Sequence, residues 1–427
     1  MSLVIKGASL LGEGTTDLYV GDSGVLVDSA PSGAETIDAA GLVALPGLVD
    51  LHTHLREPGR EDAETILTGS QAAALGGFTA VLAMANTSPV TDTAEAALRV
   101  WDLGREAGLV HVQPVGAVTR GLGGEELAEL GLMARSRARV RVFSDDGKCV
   151  HDARVMRRAL EYVKAFGGVV SQHSQDPSLA GPSACCHEGE ISGRLGLPGW
   201  PGIAEEVIVA RDVALARHTG SRVHVAHVST AGAVEILRWA KDRARRDGHW
   251  DVTAEVTPHH LLLTTDLLTG YDPTFKVNPP LRPDEDVQAL RAALADGTID
   301  AVATDHAPHA RHDKEHAFVD AAFGMVGLET ALSVVRTVMD DFSWADIARV
   351  MSTTPARIAG LGGQGQVLAP GSPAHVVLID PDAQVTVDRD ASASLSRNNP
   401  WHGRTFTGRV VHTVYAGRVT VRDGALG

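Results

Sequence analysis

Eight short apolar runs, each followed by a stretch of different character, constrain the fold of this chain more than any other feature. The runs are Val43–His54, Phe78–Ala85, Val110–Val118, Val140–Ser144, Gly168–His173, Arg222–Ser229, Val252–His259 and Ile299–Thr304. Helical segments intervene, among them Ala63–Leu75, Thr93–Ala107, Ala153–Phe166, Ala204–His218, Gly232–Asp247 and Asp284–Ala295. Near-continuous apolar strands that alternate with helices imply a parallel sheet covered by helices. Eight such units predict an α/β fold of the (β/α)8 TIM-barrel type, with functional residues at the C-terminal ends of the strands. A doubly wound open sheet is the alternative. No G-x-G-x-x-G follows the first strand of this region, which disfavours a dinucleotide site.

The two ends of the chain read differently. Residues 1–45, and those from about 365 onward, are short strands punctuated by Gly and Asp turns. Neither set is apolar enough to fold well alone. The expectation is one small β-sandwich built from 1–45 and 365–427, attached to a barrel spanning 46–364. Loops 175–201 and 306–324 are long for βα connections and are candidate lids.

Composition removes several classes of partner. The 427 residues include 38 Lys+Arg against 53 Asp+Glu, a formal charge of −15. An acidic chain without a basic run is not expected to bind nucleic acid or an anionic membrane. No apolar stretch is long enough to span a bilayer, and the N-terminus lacks the basic and apolar regions of a signal peptide. Cys149, Cys185 and Cys186 form no disulfide framework, so a reducing cytoplasm is expected and the thiols read as ordinary loop residues.

The strand ends carry the chemistry. The first gives His52 and His54, the second Asn86, the fourth Asp145 and Asp146. The fifth gives His173, the sixth His227, and the eighth Asp305, His306 and His309. Residues i and i+2 of a strand point the same way, so His52 and His54 can face one point. Paired imidazoles suit a cation such as Zn²⁺. A single His here is usually a hydrogen-bonded core residue, and Asp145 reads as a helix N-cap. Together, four His and two Asp are a ligand supply for two metals. The expected partition puts His52, His54 and Asp305 on one metal and His173 and His227 on the other, with Asp146 bridging. Two metals sharing an anion lower the pKa of bound water, and Asp305 can carry a proton to a leaving nitrogen. Alternation turns His306 away. Arg56 can donate a planar fork to a carboxylate, Asn86 and Asn278 can pair with an amide or ureide, and His309 can complete an anion pocket. Arg56 could equally pair with Glu57 or Glu61 at the surface, and Asn278, before Pro279 and Pro280, could simply mark a turn.

In these motifs the chain resembles the amidohydrolase superfamily and, within it, the bacterial type I dihydroorotases. The motifs are HTHLREPG (52–59), MANTSP (84–89), FSDDG (143–147), HVAHVST (224–230), EVTPHH (255–260), KVNPPLR (276–282) and ATDHAPH (303–309), in that family's order. The resemblance implies a (β/α)8 barrel with a small β-sandwich, two zinc ions per subunit, and reversible closure of N-carbamoyl-L-aspartate to L-dihydroorotate. It carries metal-ligand roles onto His52, His54, Asp146, His173, His227 and Asp305, with Asp305 also the catalytic residue. Substrate contacts fall on His54, Arg56, Asn86, Asn278 and His309, and on Phe323 and Gly324. A homodimer and association with aspartate transcarbamoylase are the macromolecular partnerships it leaves open. Hydantoinases, dihydropyrimidinases and allantoinases usually bridge their metals with a carboxylated lysine, whereas Asp145–Asp146 here looks like the type I pattern. Lys148 lies beyond, in the loop. Gln175 departs from the family, which commonly has an acid at that position, and Cys185–Cys186–His187 is also unlike it. The other readings are a different cyclic amidase, which would give Arg56 no carboxylate, and a non-catalytic scaffold, which would be expected to lose the His-x-His or the last Asp.

Overall fold

The computed structural model describes residues 2–427. Eight parallel strands surround one axis. They are β1 (Leu48–Thr53), β2 (Phe78–Ala83), β3 (His111–Pro114), β4 (Val142–Phe143), β5 (Val169–Gln172), β6 (Arg222–Val225), β7 (Asp251–Val256) and β8 (Ala301–Val302). They pair as two sheets, β1–β2–β3 and β4 through β8. Each remaining seam is closed by a single bridge, Gly116 to Phe143 and Thr53 to His306.

A buried aspartate reinforces each seam. Asp145 accepts from the Val118 and Thr119 amides at 2.8 and 2.9 Å, across β3–β4. Asp50 accepts from the Thr304 amide at 3.0 Å and its hydroxyl at 2.5 Å, across β8–β1. Asp145 is therefore not the helix cap expected from sequence. The cap of the following helix, Ala153–Lys164, is Asp152. A buried carboxylate needs several donors, and the amides of an incomplete ladder supply them.

The apolar run Val43–His54 is two strands. Val43–Pro46 leaves the barrel and pairs antiparallel with Val376–Thr386. Gly47 marks the break, because a Cβ there would lie 2.3 Å from the Thr79 side chain. The pairing joins strands from both chain ends into one nine-stranded sheet. Strand Leu3–Leu10 pairs with Glu35–Asp38 before Gly7 and with Val43–Pro46 after it. Gly7 has φ 77°, a turn that only glycine makes without steric cost. Leu3, Ile5, Val20, Leu378 and Val414 form the separate apolar core of this sheet.

Residues 387–404 leave that sheet and lie against the barrel. Ser396 Oγ donates to the Ala63 carbonyl at 2.7 Å, and Asn398 Nδ2 donates to that of Ala307 at 2.9 Å. Loop 175–201 is also ordered, with helices Pro177–Ala180 and Glu190–Leu195 and a strand pair, Cys186–His187 with Gly199–Trp200. Cys185 and Cys186 are buried beside Leu197 and Phe318, so they are packed residues rather than loose loop thiols. All three cysteines are unpaired.

The helices start and stop where side-chain chemistry dictates. Thr93 caps Ala94–Ala107, which ends at Gly108, φ 65°. Thr230 and Gly248 do the same for Ala231–Asp247. Ile358 and Ala359 pack inside the barrel with Leu51, Leu82 and Val142. Arg222, the first residue of β6, donates to the Ile358 carbonyl at 3.1 Å. The N-terminal mouth is thus filled, and the functional side chains collect at the other. Among the described residues no helix is long and apolar enough to cross a membrane.

Candidate active site

His52 lies in β1 and His54 just beyond it. Asp146, His173, His227 and Asp305 follow the ends of β4, β5, β6 and β8. All six side chains are buried. The donor atoms of His52, His54 and Asp305 lie within 4.8 Å of one another, as do those of His52, Asp146 and His227. Asp146 Oδ1 is 3.3 Å from His52 Nε2, 3.3 Å from His173 Nδ1 and 3.2 Å from His227 Nε2. Its Oδ2 is 3.3 Å from His54 Nε2. Asp146 thus reaches all four imidazoles, and His52 stands between the two halves of the cluster. Lys148 is exposed. His306 turns away, with Nε2 on Glu64 Oε2 at 3.3 Å.

The outer ring nitrogens determine what the inner ones can do. His52 Nδ1 donates to Glu255 Oε1 at 2.9 Å, His54 Nδ1 to Asn86 Oδ1 at 2.9 Å, and His173 Nε2 to Gln175 Oε1 at 2.8 Å. A neutral imidazole carries one hydrogen, so each inner nitrogen is left with a lone pair. These lone pairs face carboxylate oxygens, and His173 Nδ1 also lies 3.0 Å from Nε2 of His227, whose Nδ1 is buried without a partner. His52 Nε2 is buried and has no hydrogen-bond partner. Such a set is repulsive unless cations sit among the donors. Protons alone can serve: burial disfavours the His52 imidazolium, but Asp146 and Asp305 outweigh it and raise its pKa well above the usual range. A metal would displace such protons. The donor set fits a metal cofactor.

Three non-glycine residues here have positive φ: Arg56 at 58°, His227 at 31° and Asp305 at 46°. Such backbone costs on the order of 1–3 kcal/mol per residue and clusters at functional sites.

Above the cluster is a cavity of about 280 Å³, lined by His54, Arg56, Asn86, Asp146, Gly147, His173, Asn278, Asp305, Ala307, His309, Phe323 and Gly324. Arg56 does not pair with Glu57 or Glu61. Its Nε donates to the Pro308 carbonyl at 3.0 Å, and Nη2 lies 3.3 Å from His309 Nε2. Burial lowers its pKa to about 10, so it stays cationic. His309 Nε2 is 2.6 Å from the Phe323 carbonyl, to which it donates. Burial, then the Arg56 and Lys314 charges, push its pKa to about 2, so the ring is neutral. Asn278 Nδ2 donates to Gln175 Oε1 at 3.2 Å, while its Oδ1 is buried without a partner. Gln175, the departure noted in the sequence, therefore supports both His173 and Asn278.

Sequence reasoning missed Glu255. This buried carboxylate accepts from His52 on one oxygen and from His224 Nε2, at 3.0 Å, on the other. A glutamate inside an apolar strand was the available signal. Burial opposes its ionisation, but His224 and His52 prevail and hold its pKa at about 2, against 4.5 ordinarily. The unfolded chain thus takes up this proton first. The stability Glu255 contributes is present above about pH 4.5 and is lost as pH falls toward 2.

Comparison with known proteins agrees with this architecture. Residues 41–233 match the dihydro-orotase-like family model and residues 186–420 the amidohydrolase family model. A dihydroorotase of Leifsonia xyli subsp. xyli is 58% identical, covering 100% of this chain and 97% of its own length. One from Mycobacterium tuberculosis is 54% identical, covering 100% of both. Among solved structures, the L-hydantoinase (dihydropyrimidinase) of Arthrobacter aurescens is 26% identical with a TM-score of 0.85, covering 100% of this chain and 97% of that one. The hydantoinase shares the frame, and the full-length relatives share the frame and more than half of the residues. The chain belongs to the dihydroorotase family of the amidohydrolases.

Proposed function

We propose that the protein catalyses the reversible closure of N-carbamoyl-L-aspartate to L-dihydroorotate, the third step of de novo pyrimidine (UMP) biosynthesis, with two zinc ions. The full-length relatives named dihydroorotase support this. The observation that carries the substrate is Arg56, a half-buried cation lining the cavity whose hydrogen bond goes to a backbone carbonyl rather than a carboxylate. A carboxylate beside the ring would complete it, and a neutral ring would not. The three unpaired cysteines fit a reducing, cytoplasmic setting.

In this reading His52, His54 and Asp305 hold one zinc ion, His173 and His227 the other, and Asp146 is shared. When bound, the ions would polarise the ring amide and lower the pKa of water. The protein's own groups do the rest. Burial opposes the Asp305 carboxylate, but His52 and His54 outweigh it and keep it ionised. It can therefore take the proton lost by the attacking water and return it to the ring nitrogen. Arg56 and the free amide hydrogens of Asn86 hold the substrate carboxylate, and His309 and His54 border the same pocket. The unpartnered Asn278 Oδ1 accepts from a ring N–H, and the Phe323–Gly324 backbone lies along the ring.

The test is turnover by the purified protein of L-dihydroorotate, dihydrouracil and hydantoin, side by side. Dihydroorotate is expected to be strongly preferred. Equal or faster opening of dihydrouracil would place the chain with the neutral-ring amidases.

Two substitutions probe the support of the site. Glu255→Gln keeps an acceptor for His52 but loses its charge. Metal affinity should fall about 10–100-fold, the usual cost of losing an outer partner of a ligating histidine. Competition with a chelator measures this, and unchanged affinity would remove Glu255 from the metal's support. Gly324 has φ 135°, and a Cβ there would lie 2.7 Å from Ala307 Cβ and 3.0 Å from His309 Nε2. Gly324→Ala should therefore push His309 aside and lower kcat/KM by about 10²-fold. Near-normal kinetics would show that the pocket tolerates the shift.

A further inference from the structure

Lys314 stands behind the substrate pocket, outside the cavity itself. Its ammonium donates to three backbone carbonyls: Ala322 at 2.8 Å, Gly324 at 3.1 Å and Lys276 at 3.3 Å. A charge withdrawn from water is costly, and burial, then the Lys276 charge, lowers the Lys314 pKa to about 7, so the three carbonyls offset that cost only in part. The carbonyls on either side of Phe323 thus go to Lys314. The Phe323 carbonyl between them goes to His309. Asn398, from the segment that crosses over from the terminal sheet, grips the same place. Its Nδ2 donates to Ala307 and Gly324 carbonyls at 2.9 and 3.1 Å, and its Oδ1 accepts from the His309 amide at 3.3 Å. Lys276 steadies the other side. Its Nζ lies 4.3 Å from the centre of the Phe323 ring and donates to the Val319 carbonyl at 2.7 Å.

We propose that Lys314 is a positioning residue for substrate binding: by fixing the carbonyls that flank Phe323, together with Asn398, it sets the Phe323 carbonyl and through it the orientation of the His309 ring. The proposal rests on the reading that His309 and Phe323–Gly324 face the substrate. Lys314 touches no metal ligand and meets the cavity lining only at the Gly324 carbonyl, so its removal acts on binding geometry rather than on proton transfer. A residue that only stabilised the fold would change kinetics without regard to His309.

The experiment uses the metal-loaded protein and L-dihydroorotate. Lys314→Met should raise KM about tenfold, equivalent to about 1.4 kcal/mol, while kcat and metal content stay near their original values. In a His309→Asn background, which itself raises KM, Lys314→Met should add almost nothing, because residues acting through one contact are not additive. The same KM increase in both backgrounds, or a fall in kcat at constant KM, would overturn the proposal. If His309→Asn leaves KM unchanged, the pocket reading falls first and the proposal with it. If Lys314→Met does not fold, Asn398→Ala is put through the same cycle and judged by the same outcomes.

Discussion

Asp305→Asn is expected to lower kcat by at least about 10²–10⁴-fold, the usual cost of losing an acid–base group. Two effects combine. The amide cannot carry the proton between water and ring nitrogen, and it is a poorer partner for His52 and His54, whose Nε2 atoms lie 3.6 and 3.1 Å from Asp305 Oδ1. Measuring kcat and metal content on one preparation separates the two. A large fall in kcat with the metal retained would assign the loss to proton transfer. Near-normal turnover with full metal content would exclude Asp305 as the proton carrier.

Arg56→Met should act on binding instead. Its half-buried guanidinium lines the cavity, and a charge-assisted hydrogen bond contributes about 1.5–3 kcal/mol. A bidentate contact makes two such bonds, so kcat/KM for dihydroorotate should fall about 10²–10⁴-fold at 1.4 kcal/mol per factor of ten. Metal content and fold should be unchanged. Any slight activity toward dihydrouracil, which lacks the carboxylate, should barely move. Normal turnover of dihydroorotate by this variant would show that the carboxylate is held elsewhere.

The barrel was legible because parallel strands covered on both faces are buried along their length and so largely apolar, as Leu48–Thr53 and Phe78–Ala83 are buried at every position. The residues around the cavity were legible for a related reason, since the barrel gathers its strand ends at one mouth. His52 and His54 could be read as a pair from strand periodicity alone. What escaped depends on partners distant in sequence. Gly47 splits an apolar run because Thr79 packs against it. Asp145 closes a seam because β4 is only two residues long and the Val118 and Thr119 amides lack strand partners. Glu255 orders His52 from a strand 203 residues away. Lys314 and Asn398 meet at one carbonyl although 84 residues separate them, since both donate to Gly324. Local periodicity carries no trace of such contacts.

We propose that Asp146, rather than a modified lysine, lies between two metal ions held by His52, His54, His173, His227 and Asp305. Anomalous diffraction from crystals of the zinc-loaded protein, recorded at the zinc edge, tests it most directly. Two peaks roughly 3.5–4 Å apart are expected, with the Asp146 carboxylate between them. A single peak, or two peaks joined by a carboxylated lysine while Asp146 stands aside, would contradict it.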